Sequence, residues 1–571
     1  MEYLELLKKL EELIKAPSYL IVGKLKDIPL LWTSTEGVFN LSVLRGDKLD
    51  RITKDPIVGL ANPKSQLDYV PIIRDVEKGK ELHSIFVVNL KGEEYELASP
   101  KVRITSIAYD EKSVVFTGSS QDSTALYIVE DGKLRKIVDI PPISAITDVD
   151  GDYIAGFGVF TKYFRSSEIF LADKSGEVKV ITPKEGSVNI TNILKEGKLY
   201  FTSDYEYSGE REWIYTYDVK SGEIRRVKFA YDDLEKSQPT SLSIDPDDKL
   251  VIASKNGESK LYINGKEIKT PEGNVTGATK VGDQVYFTHT HLLRKSAMYL
   301  YDLRDSTTRV VINSSVSIKG KVEFLKVKNG DVEVPTFIIT PENKKDIGVI
   351  YVHGGPWSSV DNSWDTFIAS LLINGYIVIA PNFRGSTGYG NKFMLMDIGD
   401  IGGGDLSDVV RVRDYVIEKK VVNKVGIMGY SYGGYMTLLA LGKEPDKWDF
   451  GIAGAAIADW VEMYELGDSL SKGFIIMAFN GDNKELMKER SPITYVENVK
   501  APLCIIQSQN DSRTPALPIL KYSLRLQELG KKFELHLIPD MGHIPYTMDD
   551  MMKVVLPVVL FLERETKKEK S

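Results

Sequence analysis

The stretch GYSYG, residues 429–433, places Ser431 between two glycines in the pattern Gly-x-Ser-x-Gly. This pattern is typical of a nucleophile elbow, in which a sharp turn between a strand and a helix holds a serine hydroxyl above a sheet. The apolar run KVGIM precedes it, and GYMTLLALGK, which has helical spacing, follows it. The context predicts strand, turn and helix, with Ser431 as the candidate nucleophile.

A serine hydroxyl becomes an effective nucleophile when a neighbouring base takes its proton, and histidine is the usual base. His543 lies in the loop PDMGHIPY beside a glycine, which lets the backbone bring the imidazole over the serine. We therefore predict His543 as the base. Five other histidines are present. Three lie between residues 18 and 317, namely His83, His289 and His291, and His353 lies in the stretch HGGP. His536 lies inside the strand pattern ELHLIP, where a structural role is expected.

A third group must fix the tautomer of the base, and a carboxylate between the serine and the histidine in chain order suits this arrangement. Asp511 follows the apolar strand pattern PLCIIQSQN, so we predict it as that group. Three other aspartates compete for the role. Asp459 has the position of a helix cap, Asp482 lies in NGDN, and Asp540 has the position of a turn residue before His543.

Acyl transfer also needs N–H donors for the oxygen that becomes negative, each contributing about 3 kcal/mol to the transition state. The amide of Tyr432, which follows the serine, is one predicted donor. The loop YVHGGPW supplies the other, because paired glycines let backbone amides approach a ligand closely. We predict Gly355 as this donor, with Gly354 as the second choice.

The elements that must hold these residues differ between the two halves of the chain. Residues 18–317 contain seven copies of one phrase, an alternating strand, a polar turn and a second alternating strand, and most copies follow a further apolar strand. A spacing of roughly 43 residues is typical of a four-stranded propeller blade. We therefore predict an all-β propeller with seven blades. The copies begin at Val38, Ile85, Leu126, Ile169, Ile214, Leu261 and Met298.

Residues 318–571 alternate apolar strands with helical patterns, which predicts an α/β sheet with helices on both faces. Ligands of such sheets bind beyond the carboxyl ends of the strands, where Ser431, Asp511 and His543 fall. Residues 1–17 form a third unit, an amphipathic helix predicted to dock on another domain. Its apolar stripe is expected at Tyr3, Leu7, Leu10 and Ile14, with Leu6 and Leu13 beside it.

Composition excludes several functional classes. A net charge of −8 over 571 residues gives no sign of nucleic-acid or membrane binding. The single cysteine, Cys504, excludes an internal disulfide, is expected to be a buried structural thiol, and favours a cytoplasmic location. The N-terminal stretch has no signal-peptide pattern, and no run is long enough to cross a membrane. We expect no metal and no cofactor, and the sequence leaves a homo-oligomer open.

These motifs together resemble the prolyl oligopeptidase family of serine peptidases, and within it the acylaminoacyl peptidases. HGGPW, PNFRGSTGYG, GYSYGGYMT, QNDSRTP and DMGH carry the resemblance in the second half, and the architecture with RDVEKGKELH carries it in the first. The resemblance implies an α/β-hydrolase domain under a propeller, with the N-terminal helix packed on the hydrolase domain. It also implies Ser431, Asp511 and His543 as the triad, and Gly355 and Tyr432 as the oxyanion donors.

The resemblance further implies that Arg513 contacts the substrate backbone. We expect Glu81 to face this arginine across the domain interface. The segment IADWVEMYELGDSLSKGFIIMAF is predicted to form the acyl-side specificity pocket, which would favour a bulky apolar residue. Its expected lining is Trp460, Met463 and Phe474, and the alternative is that these side chains fill a helix core.

The predicted activity is the release of N-acylated amino acids from short blocked peptides, with oligopeptidase and esterase side activity. The propeller would exclude folded proteins. A prolyl endopeptidase shares the fold and the triad. A dipeptidyl peptidase would hold a free amine with acidic residues such as Glu210 and Glu212. The non-enzymatic alternative is a docking platform with an inert hydrolase domain.

Overall fold

A computed structural model describes residues 2–35, 37–162 and 164–567. Antiparallel strands occupy the chain up to Ile312, and a mixed sheet with helices follows from Gly320 onward. The predicted change from an all-β first half to an α/β second half is therefore confirmed. Met1 and residues 568–571, which belong to the predicted first and last units, lie outside the described residues.

The N-terminal helix α1 spans Glu2–Lys15. The β region that follows is built from short strands that pair with their neighbours in the chain. Among its described residues there is one helix, α2 (Asp233–Ser237). Its strands are β1 (Tyr19–Leu25), β2 (Ile28–Thr33), β3 (Asn40–Arg45), β4 (Lys48–Arg51), β5 (Gly59–Leu60), β6 (Tyr69–Asp75), β7 (His83–Asn89), β8 (Glu94–Tyr109), β9 (Ser113–Ser119), β10 (Thr124–Glu130), β11 (Lys133–Ile140), β12 (Ser144–Asp150), β13 (Tyr153–Gly158), β14 (Glu168–Asp173), β15 (Val178–Ile181), β16 (Asn189–Lys195), β17 (Lys198–Ser203), β18 (Trp213–Asp218), β19 (Ile224–Arg226), β20 (Ser241–Asp245), β21 (Leu250–Lys255), β22 (Glu258–Ile263), β23 (Lys266–Ile268), β24 (Asn274–Val281), β25 (Gln284–His291), β26 (Arg294–Asp302) and β27 (Thr307–Ile312).

In the part of the chain that the structure describes, these strands form five sheets of four strands and one sheet of seven. The seven-stranded sheet contains two units that share β8. Residues 94–102 of β8 pair with β7, and residues 103–109 pair with β9. Each half of this long strand therefore belongs to a different four-stranded unit.

The first and last sheets of the β region are neighbours. The amide of Tyr19 in β1 donates to Ser296 Oγ in β26 at 2.7 Å, and the amide of Ile21 donates to Thr288 Oγ1 in β25 at 3.2 Å. These side chain–backbone bonds bring the two ends of the β region together without merging the sheets.

The α/β region has one eight-stranded sheet in the order β28-β29-β31-β30-β32-β33-β34-β35, in which β30 to β35 are parallel to one another. Its strands are β28 (Gly320–Asn329), β29 (Val332–Pro341), β30 (Ile347–Val352), β31 (Ile377–Pro381), β32 (Lys424–Tyr430), β33 (Gly451–Gly454), β34 (Leu503–Ser508) and β35 (Phe533–Ile538). Its α-helices are α3 (Thr366–Leu372), α4 (Asn391–Met394), α5 (Gly404–Glu418), α6 (Tyr432–Lys443), α7 (Trp460–Leu466), α8 (Ser469–Ala478), α9 (Lys484–Glu489), α10 (Ala516–Glu528) and α11 (Met548–Thr566), and short 3-10 helices span Leu395–Asp397 and Pro492–Asn498.

Apolar cores cover both faces of this sheet. Ile427 and Ile505 belong to the core that includes α5 and α6, while their neighbours Met428 and Cys504 belong to the core that includes α3 and α11. Successive residues of a strand point to opposite faces, so strands buried on both sides are apolar throughout.

The N-terminal helix lies on the α/β region, as predicted. Leu6, Leu10 and Ile14 share a core with Val555 and Val559 of α11. The buried stripe differs from the expected one, because Tyr3 and Leu7 are exposed and Leu13 is buried. Residues 6, 10 and 14 share the face that meets α11, as the helical repeat requires.

Two further features complete the fold. Lys295 of β26 donates to the carbonyl oxygens of Leu13 and Ala16, so the end of the N-terminal helix is also attached to the β region. None of the helices within residues 2–567 that the structure describes is both long and apolar enough to cross a bilayer.

Candidate active site

Ser431 stands at the turn between β32 and α6, with backbone angles φ 58° and ψ −120°. A positive φ is strained for a residue with a side chain, and such strain is typical of a nucleophile elbow. The turn also needs glycine at position 433, because a Cβ there would lie 2.0 Å from the carbonyl oxygen of Val352. The predicted order of strand, turn and helix therefore forms around this serine.

The structure brings Ser431, His543 and Asp511 into one hydrogen-bonded chain. His543 Nε2 lies 2.9 Å from Ser431 Oγ, and His543 Nδ1 lies 2.8 Å from Asp511 Oδ2. The imidazole and the carboxylate are buried. In the tautomer that Asp511 favours, Nδ1 carries the proton and Nε2 accepts from the serine hydroxyl, which is the arrangement required of a base.

Neighbouring donors hold the Asp511 carboxylate in place. The amides of Arg513 and Thr514 donate to Oδ1 at 2.9 and 2.8 Å, and Thr514 Oγ1 donates to Oδ2 at 2.8 Å. The same hydroxyl lies 3.2 Å from His543 Nδ1. A role for Thr514 was not predicted from the sequence, although its place three residues after Asp511 in the loop QNDSRTP is a signal that could have indicated one.

The three competing aspartates lie outside this chain of hydrogen bonds. Asp459 caps α7 and accepts from the amides of Val461 and Glu462. Asp540 has a positive φ of 57° and pairs with Lys78. Asp482 is exposed in the loop before α9.

The two residues predicted to supply the oxyanion donors belong to segments that adjoin the serine. Tyr432 is the first residue of α6, so its amide belongs to the N-terminus of that helix. In the HGGP loop, a Cβ at Gly354 would lie 3.5 Å from Ser431 Cβ, which shows how closely this loop approaches the elbow. Gly355 follows with φ +120°.

His353 orients the peptide between the two glycines. Its Nδ1 lies 2.6 Å from the carbonyl oxygen of Gly354, and its Nε2 lies 2.7 Å from Ser386 Oγ. Burial lowers the pKa of His353 to about 4, so the ring is neutral at pH 7. Since the carbonyl and N–H of a trans peptide point in opposite directions, the bond at Gly354 turns the Gly355 amide away from His353.

Two buried carboxyl groups, those of Asp405 and Asp397, lie behind Tyr432 and were not predicted from the sequence. The Tyr432 phenol donates to Asp405, which also accepts from the amide of Leu406. Burial raises the pKa of Asp405 to about 6. Asp397 accepts from Trp357 Nε1 at 3.1 Å, and burial together with the charge of Asp405 raises its pKa to about 8.

Arg513 and Glu81 meet between the two regions of the chain. Ser512 Oγ also donates to Glu81, at 2.7 Å, and Arg103 Nε lies 3.6 Å from the same carboxylate. Burial alone would raise the pKa of Glu81, but the bonds from Arg513 and the charge of Arg103 hold it well below its ordinary value. The carboxylate is therefore ionised.

The expected pocket residues differ in exposure. Trp460 is 0% exposed and Met463 is 5% exposed, so both belong to the core of the α/β region. Phe474 is half-buried, and its ring makes an edge contact with Trp357 at 5.4 Å between centroids. Trp357 follows the HGGP loop directly, so the ring of Phe474 lies next to the predicted oxyanion loop.

The two acidic residues of the dipeptidyl-peptidase alternative have other partners. Glu210 is exposed and pairs with Lys392 at 2.9 Å. Glu212 is buried and lies 3.3 Å from Asn391 Nδ2, and burial raises its pKa to about 7.

Two family models match the chain over most of its length. Residues 30–299 match the N-terminal domain described as acylamino-acid-releasing enzyme-like, and residues 362–569 match the prolyl oligopeptidase family. Residues 362–569 are thus identified as a domain of the prolyl oligopeptidase family. Both matches agree with the resemblance read from the motifs.

Individual relatives that the chain matches are peptidases or acylamino-acid-releasing enzymes by name. An uncharacterized peptidase of Bacillus subtilis, YuxL, is 25% identical over 73% of this chain and 55% of its own length. The mouse acylamino-acid-releasing enzyme is 29% identical over 40% of this chain and 34% of its own length. The chain therefore spans between about a third and about half of the curated relatives that it matches.

A solved structure matches nearly the whole chain. The uncomplexed acylaminoacyl peptidase of Pyrococcus horikoshii superposes with a TM-score of 0.72 at 20% identity, and the match covers 98% of both chains. The fold of the family, an α/β-hydrolase domain with an N-terminal β domain, is thus the fold of this protein.

Proposed function

We propose that the chain is an acylaminoacyl peptidase, which releases an N-acylated amino acid from a short blocked peptide. The observation that carries the proposal is the hydrogen-bonded chain from Ser431 through His543 to Asp511. In this proposal these three residues are catalytic, and the amides of Gly355 and Tyr432 bind the oxyanion. The name of the mouse relative supports the choice of substrate class.

The geometry supports a two-step acyl transfer. His543 Nε2 takes the hydroxyl proton while Ser431 Oγ bonds to the scissile carbonyl carbon, whose oxygen becomes negative. His543 then gives the proton to the leaving amine, the C–N bond breaks, and an acyl-enzyme remains. Water then gives a proton to His543 Nε2 and attacks the ester carbonyl. His543 returns the proton to Ser431 Oγ as the Oγ–acyl bond breaks, and the N-acylated amino acid leaves as a carboxylic acid.

Charge supports a blocked N-terminus over a free one. Around the site, Glu81 is paired with Arg513 and Arg103, and Asp468 lies 3.4 Å from Arg103. These two carboxylates are neutralised by the two arginines, so they offer little to a free ammonium group. A neutral acyl end therefore suits these surroundings better than an amine.

For the substrate, we assign Arg513 to the peptide backbone and Phe474 to the wall of the acyl-side pocket, with Trp460 and Met463 behind it. This arrangement favours a bulky apolar residue at the cleaved position. Oligopeptidase and esterase side activity follow from the same chemistry.

We further propose that the β region is a seven-bladed propeller that restricts the site to short peptides. The sharing of β8 between two units and the contact of β1 with the last sheet support seven blades in a ring. The proposed units are the N-terminal helix at residues 1–17, the propeller at 18–317 and the hydrolase domain at 318–571. We also propose a cytoplasmic location, which the single cysteine supports.

The test compares acetyl-phenylalanyl p-nitroanilide, phenylalanyl p-nitroanilide and a blocked peptide with an internal phenylalanine. We expect the acetylated substrate to be cleaved fastest, and Ser431→Ala to lower kcat by at least about 10⁴-fold. Faster cleavage of the free amine would reassign the chain to a dipeptidyl or aminopeptidase type. Absence of cleavage with all three would favour a docking platform.

A further inference from the structure

A second cluster of reactive side chains lies at the edge of the large sheet, away from the triad. The parallel strands β34 and β35 place Cys504 beside Glu534 and Ile506 beside His536. The thiol, the carboxylate and the imidazole therefore share one face of the sheet. One donor atom from each of the three lies within 4.8 Å of the others.

We propose that Cys504, Glu534 and His536 bind a divalent transition-metal ion, with zinc as the ion that suits them best. Zinc is bound by thiolate, imidazole and carboxylate in tetrahedral sites. Metal–ligand distances of about 2.0–2.3 Å place the ligand atoms of such a site roughly 3.3–3.7 Å apart. The donors here need to close by about 1 Å, a shift within the reach of side-chain torsions.

The exposure of the three side chains allows this closure. Cys504 is fully buried and gives a fixed floor to the site. Glu534 and His536 lie on the edge strand, with side chains 29% and 37% exposed, so they have room to turn toward the sulfur. A groove of about 740 Å³ between β35 and α11, lined in part by Glu534 and His536, gives a water molecule access to the fourth position.

The surroundings also supply support for the ligands. His536 Nε2 lies 2.9 Å from Glu534 Oε1, and Arg564 of α11 donates to the other oxygen of Glu534. A metal ion would replace the contact between His536 and Glu534, while Arg564 would continue to orient the carboxylate, as outer partners do in metal sites. Coordination converts the Cys504 thiol to a thiolate, and its proton leaves to the buffer.

The location suggests what the ion would do. The chain runs from Cys504 along β34 to the loop of Asp511, and from His536 along β35 to the loop of His543. An ion bound across these strands would fasten the edge strand to its neighbour and stabilise the two strands that carry the acid and the base. No local pattern predicts this site, because its ligands come from two strands that are about 30 residues apart in the chain.

The single cysteine makes the proposal directly testable. Cobalt(II) added to the full-length protein, previously treated with chelator, gives a sulfur-to-cobalt charge-transfer band only when a thiolate coordinates it, and Cys504 is the sole thiol in the chain. We expect this band at one equivalent of cobalt and its loss when zinc is added. Zinc should also raise the thermal unfolding midpoint by about 2–5 °C at a hundredfold excess over its Kd.

Two variants and a control decide the outcome. Cys504→Ser and His536→Gln should both abolish the band and the zinc-dependent rise in midpoint, and His536→Gln serves if the buried serine prevents folding. Asp549→Asn, at an acid that lines the same groove outside the cluster, should retain both. Absence of the band in the unmodified protein, or its persistence in His536→Gln, would overturn the proposal.

Discussion

Arg513 Nε lies 3.1 and 3.0 Å from the two carboxylate oxygens of Glu81, although the two residues are 432 positions apart and belong to different regions of the chain. Asp511, two residues before the arginine, orients His543. The contact between the β region and the hydrolase domain is therefore continuous with the triad.

Replacing Glu81 by glutamine should impair both stability and activity. Loss of the charge at the buried Glu81 leaves the half-buried Arg513 without its carboxylate partner, a change that costs on the order of 1–3 kcal/mol. We expect kcat/KM for a blocked substrate to fall by about 10–100-fold, because Arg513 loses its fixed position. Steady-state kinetics and thermal unfolding measure the two effects.

The matched control for this variant is Glu94→Gln. Glu94 forms a buried pair with Arg74 at 2.7 Å within the β region. It should lower the unfolding midpoint in a similar way and leave kcat/KM nearly unchanged. An equal loss of activity in both variants would show that the effect of Glu81 is only structural.

Glu81 should also make the protein sensitive to acid. Burial alone would raise its pKa, but the bonds from Arg513 and Ser512 and the charges of Arg103 and Arg513 together hold it below the ordinary value of 4.5, so the native state binds fewer protons than the unfolded state as the pH falls. Its stabilising contribution is complete above pH 4.5 and is lost as the pH falls toward the native pKa. Thermal unfolding between pH 3 and 7 should show a smaller loss at low pH for Glu81→Gln than for the unmodified protein.

Thr514 is predicted to position the triad without contacting the substrate. Thr514→Val removes the hydroxyl bond to Asp511 Oδ2, and a bond to a charged group contributes about 1.5–3 kcal/mol. We expect kcat to fall by about 10-fold or more with little change in KM. Thr514→Ser, which keeps the hydroxyl, should restore most of kcat; failure to do so would contradict the assigned role.

The sequence predicted the parts of the site that depend on local order. Ser431, Asp511 and His543 were predicted because each follows a strand at the edge where ligands bind in parallel sheets, and the structure brings their side chains into hydrogen-bond contact. The buried acids that support the site from distant segments were not predicted from the sequence. Asp397 ends a short 3-10 helix and Asp405 lies in the first turn of α5, two segments that carry no motif, and only the fold brings their carboxyl groups to Trp357 and Tyr432.

The segment predicted to form the specificity pocket, residues 457–479, shows the same limit of prediction from sequence. Periodicity and composition placed large apolar residues in α7 and α8, but could not separate a core side chain from one that lines a pocket. The structure separates them by burial, since Trp460 is fully buried and Phe474 keeps an exposed surface. In the N-terminal helix, likewise, the buried stripe depended on the position of α11, which no local pattern reveals.

Phe474 and Trp460 should therefore respond differently to truncation. Phe474→Ala should lower kcat/KM for an acetyl-phenylalanyl substrate more than for an acetyl-alanyl substrate, with a modest loss of stability. Trp460→Ala should lower the free energy of unfolding by about 3–5 kcal/mol, as expected for a buried aromatic side chain. Parallel kinetics and denaturant unfolding test this, and an unchanged substrate preference in Phe474→Ala would remove it from the pocket.

Asp397 should make the protein less stable as the pH rises from the acid to the neutral range. Burial and the neighbouring Asp405 raise its pKa from 3.8 to about 8, so the native state retains a proton that the unfolded state releases. Unfolding is therefore increasingly favoured as the pH rises from about 4, and this effect levels off above pH 8. Asp397→Asn keeps an oxygen acceptor for Trp357 Nε1 and cannot ionise. Its unfolding midpoint should match that of the unmodified protein near pH 4 and exceed it by a few degrees at pH 8, whereas the exposed substitution Asp482→Asn should leave the pH dependence unchanged. A midpoint for Asp397→Asn that falls with pH as steeply as that of the unmodified protein would show that Asp397 is already ionised in the native state.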